Sequence, residues 1–312
     1  MAWFFVVLGL VTLLLAGDFL VRAAVNLALR LGISALVVSL TVVAFCTSAP
    51  GLLIVLSAMA DDAPGLAMGN IVGSNTANIL LVLGLPALVA GLYTTGFDTK
   101  KAFISMILAT VLFITLAFVG PFSWWHGGLM LAVLAAILLD QAWTARRVSR
   151  VAVATEDLNG VDTSMPGWKI TLYLLFGLVG LPLGAKVLVV NAEIIAREFG
   201  VPETAIGLTL IAVGTSLPEL ATTTVAAIRR QADVALGNVI GSNMFNLLAI
   251  IGIAALVGPI PVADEFLRFD LWVMLAASFL LIPFVFFGQN ITRIWGAALT
   301  LLYMAYLLVV LL

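Results

Sequence analysis

The sequence predicts an all-α polytopic membrane protein whose ten transmembrane helices form two inverted five-helix repeats. Three observations carry that prediction. Of 312 residues, 63% are hydrophobic and only 10% are charged, and the mean hydropathy is +1.23; a soluble domain of this length needs more charge to cover its surface. Apolar runs of about 20 residues, each long enough to cross a bilayer as a helix, recur along the chain. Positions 17–84 align with 185–252 at one constant offset of 168 residues. The short alternating segments of a closed β-barrel do not occur.

In order, the first span covers 3–29. It is too long for a signal-peptide core and lacks a basic flank, so it reads as a retained helix. Spans at 35–60, 66–92, 102–119 and 127–143 follow. The longest polar stretch, Thr144 to Lys169, then separates these five from spans at 170–190, 205–228, 234–257, 271–288 and 292–312. The domain reading is therefore a membrane repeat over 1–143, a linker over 144–169 and a second membrane repeat over 170–312.

Charge gives the orientation. With the N-terminus outside, the inward loops hold Arg30, Lys100, Lys101, Arg146, Arg147, Arg150, Lys169, Arg229, Arg230 and Arg293. The outward loops hold only Arg197 and Arg268, among acidic Asp61, Asp62, Glu198, Glu203, Asp264 and Glu265. The positive-inside rule thus predicts both termini outside and the linker in the cytoplasm. Five spans per half is an odd number, so the second half enters from the opposite side. Inverted repeats of this kind mark secondary transporters, with the substrate site at the repeat interface near the midplane. A duplicated helical bundle without a transport role is the plainer alternative.

Other function classes find little support. A net charge of −2 with no basic patch gives nucleic acid no footing. The single cysteine, Cys46, excludes an internal disulfide and a cysteine-based metal cluster. The single histidine, His126, lies in a loop-like "SWWHGG" stretch and reads as an interfacial residue beside Trp124 and Trp125. No serine–histidine or paired-aspartate arrangement at membrane depth suggests an intramembrane enzyme.

Polar residues at membrane depth are costly and mark function. Here they gather in four spans. "AFCTSAPGLLIVLSA" (Ala44–Ala58) carries Thr47 and Ser48, downstream of Ser39 and Thr41. Its mate, "AVGTSLPELATTTVA" (Ala212–Ala226), carries Thr215, Ser216 and Glu219, downstream of Thr209. "GNIVGSNTANILLVLG" (Gly69–Gly84) holds Asn70, Ser74, Asn75 and Asn78, and "GNVIGSNMFNLLAIIG" (Gly237–Gly252) holds Asn238, Ser242, Asn243 and Asn246. Ser74 and Asn78 share a helix face, as do Ser242 and Asn246. Pro50 and Pro218 are expected to break their helices near Cys46 and Gly214, leaving carbonyl oxygens beside the hydroxyls. The result is an all-oxygen donor set, suited to hard cations such as Ca²⁺ and Na⁺. Gly69, Gly73, Gly237 and Gly241 are expected to let helices approach closely. Asp18, with Arg22 one turn away and Lys186 as its repeat mate, reads as an ion-paired structural residue rather than a ligand.

At these motifs the chain resembles the calcium/cation antiporter superfamily, in particular the prokaryotic sodium/calcium exchanger type. "GTSLPEL" followed by "GNVIGSNMFN" carries the resemblance most specifically, and the similarity covers the full chain. It implies exchange of Ca²⁺ for Na⁺ by alternating access, with these ions as cargo and no cofactor. It also implies no enzymatic activity, residence in the bacterial inner membrane, and function as a monomer in the bilayer without nucleic-acid partners. Spans one and six would slide across a rigid core. The implied cation-binding residues are Ala44 (through its carbonyl), Thr47, Ser48, Ser74, Asn78, Ala212 (through its carbonyl), Thr215, Ser216, Glu219, Ser242 and Asn246, with Glu219, Thr47 and Thr215 foremost as ligands to Ca²⁺ or Na⁺.

The departure is Gly51, where the family pattern has a glutamate; Cys46 likewise stands where the pattern has glycine. A single carboxylate offers one negative charge where two would offer two, and charge count is a main lever on Ca²⁺ affinity. The expectation is weakened Ca²⁺ binding. The alternatives are a divergent antiporter selective for monovalent cations and a transport-deficient membrane scaffold.

Overall fold

The computed structural model describes residues 1–94, 99–148, 165–200 and 212–311. Among them, nine helical stretches are long and apolar enough to cross a membrane. They are α1 (Ala2–Leu31), α2 (Ala35–Ala60), α3 (Pro64–Ala90), α4 (Lys100–Val119), α5 (Trp124–Val148), α6 (Gly167–Glu198), α8 (Ala232–Val257), α9 (Phe266–Phe286) and α10 (Arg293–Leu311). Between α6 and α8 lies α7, residues 212–228, made of a short piece, Ala212–Thr215, and Leu217–Ile228. The seventh expected span, 205–228, is thus described only in its second part. Thr209 and Gly207 to Ile211 lie outside the described residues.

Two corrections concern where the chain bends. Pro50 does not break α2: the helix runs through it from Ala44 to Ala60. The irregular segment is a π-helical turn one step earlier, Ser39–Val43, which spreads the distortion and leaves the Thr47–Ser48 turn regular. In α7 the break is real. Ser216 leaves helical geometry at φ −96°, ψ 3°, its amide donates to the Val213 carbonyl three residues back, and Pro218 starts the next helix. His126 is also not in a loop. It lies in the first turn of α5, 3% exposed, and its Nδ1 accepts from the Ser123 amide at 3.1 Å. This contact holds the start of α5 the way a capping side chain does.

Glycines bring the backbones together. α1 crosses α6 where a Cβ on Gly9 would sit 2.7 Å from Leu188 N, and one on Gly184 would sit 2.9 Å from Leu13 N. Membrane helices have little hydrophobic drive to associate, so such close backbone contact supplies the packing. α8 meets α2 in the same way: a Cβ on Gly241 would lie 2.5 Å from the Leu40 carbonyl oxygen. The repeat is visible in the contacts. Gly84 of α3 packs on Gly296 of α10, and its mate Gly252 of α8 packs on Gly127 of α5. Leu92 pairs with Ile291, and its mate Ile260 pairs with Phe122. α3 and α8 are the most enclosed of the long helices, and they bring their polar faces to the centre of the molecule.

Candidate functional site

Four helices, α2, α3, α7 and α8, bring the polar motifs together. On α2, the Thr47 hydroxyl lies 3.1 Å from Asn238 Oδ1, 3.3 Å from the Ala44 carbonyl and 3.2 Å from Ser242 Oγ. With one proton to give, Thr47 cannot donate to all three, so the Ser242 hydroxyl donates to Thr47 when Thr47 donates elsewhere. Across the pseudo-two-fold, Ser74 Oγ lies 3.1 Å from Thr215 Oγ1. That pair is the repeat image of Ser242 with Thr47.

The amides are fixed by a second reciprocal set. Asn78 Nδ2 donates to Asn243 Oδ1 at 3.0 Å, and Asn246 Nδ2 donates to Asn75 Oδ1 at 3.0 Å. Asn243 Nδ2 in turn donates to the Asn75 carbonyl at 3.3 Å. Committing the Asn78 amide nitrogen turns its oxygen elsewhere. Asn78 Oδ1 is buried without a donor. An asparagine held this way presents a carbonyl-type oxygen, the donor that hard cations take.

The symmetry fails at the carboxylate. Glu219 is 3% exposed; Ser48 Oγ donates to its Oε1 at 3.3 Å, and its Oε2 is buried with no partner. The image of the Ser48–Glu219 contact is Ser216 with residue 51. Gly51 has nothing to accept with, and Ser216 Oγ is buried without a partner. Asn70 shows the same deficit. Its mate Asn238 accepts from Thr47 and donates to Thr223 Oγ1 at 3.2 Å, whereas Asn70 Oδ1 is buried and unpartnered. The Thr223 image, which would accept from Asn70 Nδ2, is Val55, which offers no oxygen. A Cβ at position 51 would meet Ile250 Cδ1 at 3.5 Å and Asn70 Nδ2 at 3.9 Å, which is ordinary contact. The backbone at position 51 therefore accepts a Cβ without a clash.

The structure thus joins Thr47 to Ser242, Ser48 to Glu219 and Ser74 to Thr215, and Asn78 and Asn246 to Asn243 and Asn75, while Ser216 Oγ stays without a partner. Ala44 sits fully buried at the start of the regular part of α2, its carbonyl engaged by Thr47. Ala212 opens the short first piece of α7. Asn70, Asn75, Asn238 and Asn243 were visible in the sequence as polar residues at membrane depth, but not their division of labour. The signal was present in the repeat: Asn75 and Asn243 lie three residues before Asn78 and Asn246 in both copies. Asp18 stands away from this set, paired with Arg22 and Arg229.

Buried polar atoms are satisfied as a rule, so several orphans in one cluster point to a missing partner. Glu219 Oε2, Asn78 Oδ1, Ser216 Oγ and Asn70 Oδ1 include a carboxylate and two amide oxygens, the chemistry of a cation site.

Comparison with known proteins agrees. The family described as "Sodium/calcium exchanger protein" matches residues 1–143 and 169–312. The putative antiporter CaxA of Alkalimonas amylolytica is 34% identical over 310 residues, covering 98% of this chain and 97% of the relative. The sodium/calcium exchanger MaX1 of Methanosarcina acetivorans is 33% identical over 336 residues, covering 97% and 96%. The structure of the sodium-calcium exchanger NCX_Mj soaked with 10 mM Na⁺ and 10 mM Sr²⁺ superposes with a TM-score of 0.81 at 29% identity, covering 97% of this chain and 96% of that one. The chain belongs to the sodium/calcium exchanger family, a family of membrane cation antiporters rather than enzymes.

Proposed function

We propose that this protein exchanges Ca²⁺ for Na⁺ by alternating access at the site between α2, α3, α7 and α8, with Ca²⁺ binding weakened by Gly51. The observation that carries the proposal is Glu219: a carboxylate oxygen at membrane depth, buried and without a donor. An unpaired buried charge is strongly destabilising, by about 3–5 kcal/mol, and a cation bound among the surrounding hydroxyls removes that penalty. The ligands would be Glu219, Thr47 and Thr215 first, with Ser48, Ser74, Asn78, Ser216, Ser242, Asn246 and the Ala44 and Ala212 carbonyls completing overlapping Na⁺ and Ca²⁺ shells. Na⁺ and Ca²⁺ would then compete for shared oxygens, which couples their fluxes.

The two repeats, 1–143 and 170–312, would act as inverted halves around the linker at 144–169. Charge placement supports both termini outside and the linker in the cytoplasm, in the bacterial inner (plasma) membrane. A monomer suffices, because the four helices of one chain supply the whole donor set.

A second reading has its own support. A site with one carboxylate, and with Ser216 Oγ and Asn70 Oδ1 left unpartnered, suits a singly charged ion better than a doubly charged one. The experiment is flux in liposomes containing the full-length protein. Ca²⁺ uptake driven by an outward Na⁺ gradient supports the exchanger. Na⁺ flux without Ca²⁺ flux favours the monovalent antiporter. A folded protein that neither moves nor is stabilised by any cation refutes both and leaves a scaffold.

A further inference from the structure

Asp18 and Arg229 join one pair of helices, and their repeat mates carry the opposite charges. Asp18 of α1 accepts from the Arg229 side chain, at the end of α7, through Nε and Nη2; its other oxygen takes Arg22 Nε at 2.8 Å. At the offset of 168, Asp18 becomes Lys186 on α6 and Arg229 becomes Asp61 at the end of α2. The two helix ends are built alike. The Asp61 and Arg229 amides donate to the Ser57 and Val225 carbonyls, both at 2.9 Å. The Ala63 and Gln231 amides donate to the Ala58 and Ala226 carbonyls, both at 2.8 Å. Asp62 and Arg230 both adopt positive φ, 55° and 58°. All of these residues are repeat mates.

What covers the two ends differs. Gly17 lies against α7, where a Cβ would meet the Ala221 carbonyl and Thr222 Cα at 3.3 Å, and Ala221 is 6% exposed. The image of Ala221 is Leu53 on α2, which is 69% exposed. Among the described residues, Asp61 accepts from Ser57 Oγ at 3.4 Å rather than from Lys186, which is exposed. One end is therefore latched and its image is not.

We propose that Asp18–Arg229 and Lys186–Asp61 are two alternating latches, one formed in each end state of the transporter. The inference rests on the alternating-access reading above. When α1 and α6 slide against the four-helix core, the pseudo-two-fold exchanges the roles of the halves, so a contact made in one state maps onto its mate in the other. Reversed charge makes each latch specific to its own end. Asp61 repels Asp18 and Arg229 repels Lys186, so neither sliding helix can be held at the wrong end.

The test uses the full-length protein in liposomes with Cys46→Ala as background. Cysteines replace either Asp18 with Arg229 or Asp61 with Lys186, and a short bifunctional thiol reagent reports approach. Both pairs are expected to crosslink. Releasing the first latch by Asp18→Asn, or from the other side by Arg229→Gln, should raise the crosslinked fraction of the 61/186 pair by about fivefold, the shift that a part-buried ion pair of ~1 kcal/mol produces. A 61/186 pair that never crosslinks, or whose fraction neither substitution moves, overturns the proposal. Crosslinking needs no knowledge of the transported ion. Alternation without flux would keep the latches and refute the transport reading; flux without alternation would do the reverse.

Discussion

Replacing Gly51 by glutamate should restore divalent binding, and by an amount the site allows to be worked out. Position 51 has room for a Cβ, with its nearest neighbours, Ile250 Cδ1 and Asn70 Nδ2, at 3.5 and 3.9 Å. The new carboxylate would meet a donor already in place, since Ser216 Oγ is buried without a partner. At about 4 Å and an effective dielectric of about 20, a second carboxylate attracts a doubly charged ion by ~8 kcal/mol and a singly charged one by ~4 kcal/mol. Ionising the second carboxylate as the ion enters costs ~3 kcal/mol for repulsion from Glu219 at about 5 Å and several kcal/mol more for its desolvation. The remainder is a gain of ~2 kcal/mol for Ca²⁺, on the order of 30-fold in Kd, and none for Na⁺. Isothermal titration of purified Gly51→Glu beside the unmodified protein, with Ca²⁺ and Na⁺ in turn, measures both. An unchanged Ca²⁺ Kd, or an equal gain for Na⁺, would refute the argument that position 51 sets charge selectivity.

Other outcomes follow from the same geometry. Glu219→Gln should abolish the Ca²⁺-dependent rise in thermal stability, which for the intact protein at 100 times its Kd amounts to about 2.7 kcal/mol; a rise that persists places the ion elsewhere. Asn75→Ala removes the acceptor of Asn246 Nδ2 and should cost ~1–3 kcal/mol of stability while weakening cation binding, read by unfolding with and without Ca²⁺. Gly127→Ala forces a Cβ to within 2.5 Å of the Gly252 carbonyl oxygen, whereas at Gly128 a Cβ meets nothing within 4 Å. The first substitution should lower stability by ~1–3 kcal/mol and the second should leave it unchanged, both by thermal unfolding in detergent.

Most of the architecture was legible because lipid is a demanding solvent. A span must be predominantly apolar over about 20 residues, so α1 and α4 through α6 stand out by composition alone. The repeat was legible because mates within 17–84 and 185–252 keep a constant offset, and Gly84 and its mate Gly252 each pack on another glycine, Gly296 and Gly127. What composition could not tell was where backbone irregularity falls. Pro50 removes one donor, but the helix absorbs it, and the distortion sits in the π-helical turn Ser39–Val43 instead. His126 was misread because Trp, Gly and Ser around it look like loop. Its cap contact with Ser123 depends on a side-chain angle that no local pattern reveals. In the candidate site, residue types and spacing pointed to four helices whose polar side chains the structure brings into contact. The division between Asn78, which keeps a free oxygen, and Asn243, which holds its nitrogen, requires the two halves to be docked. So does the unpartnered Ser216 hydroxyl, since by the repeat offset its partner would come from position 51, in the other half of the chain.

If the orphaned oxygens of Glu219 and its neighbours hold the transported cation, the bound ion should be visible among them. The most direct measurement is a crystal structure of the protein soaked with Ca²⁺, with anomalous data to identify the ion. One Ca²⁺ is expected between α2 and α7, with Glu219 Oε2 among its ligands at about 2.3–2.6 Å and oxygens of Thr47 and Thr215 beside it. Ca²⁺ bound away from Glu219, or a Glu219 Oε2 still without a ligand at saturating Ca²⁺, would contradict it.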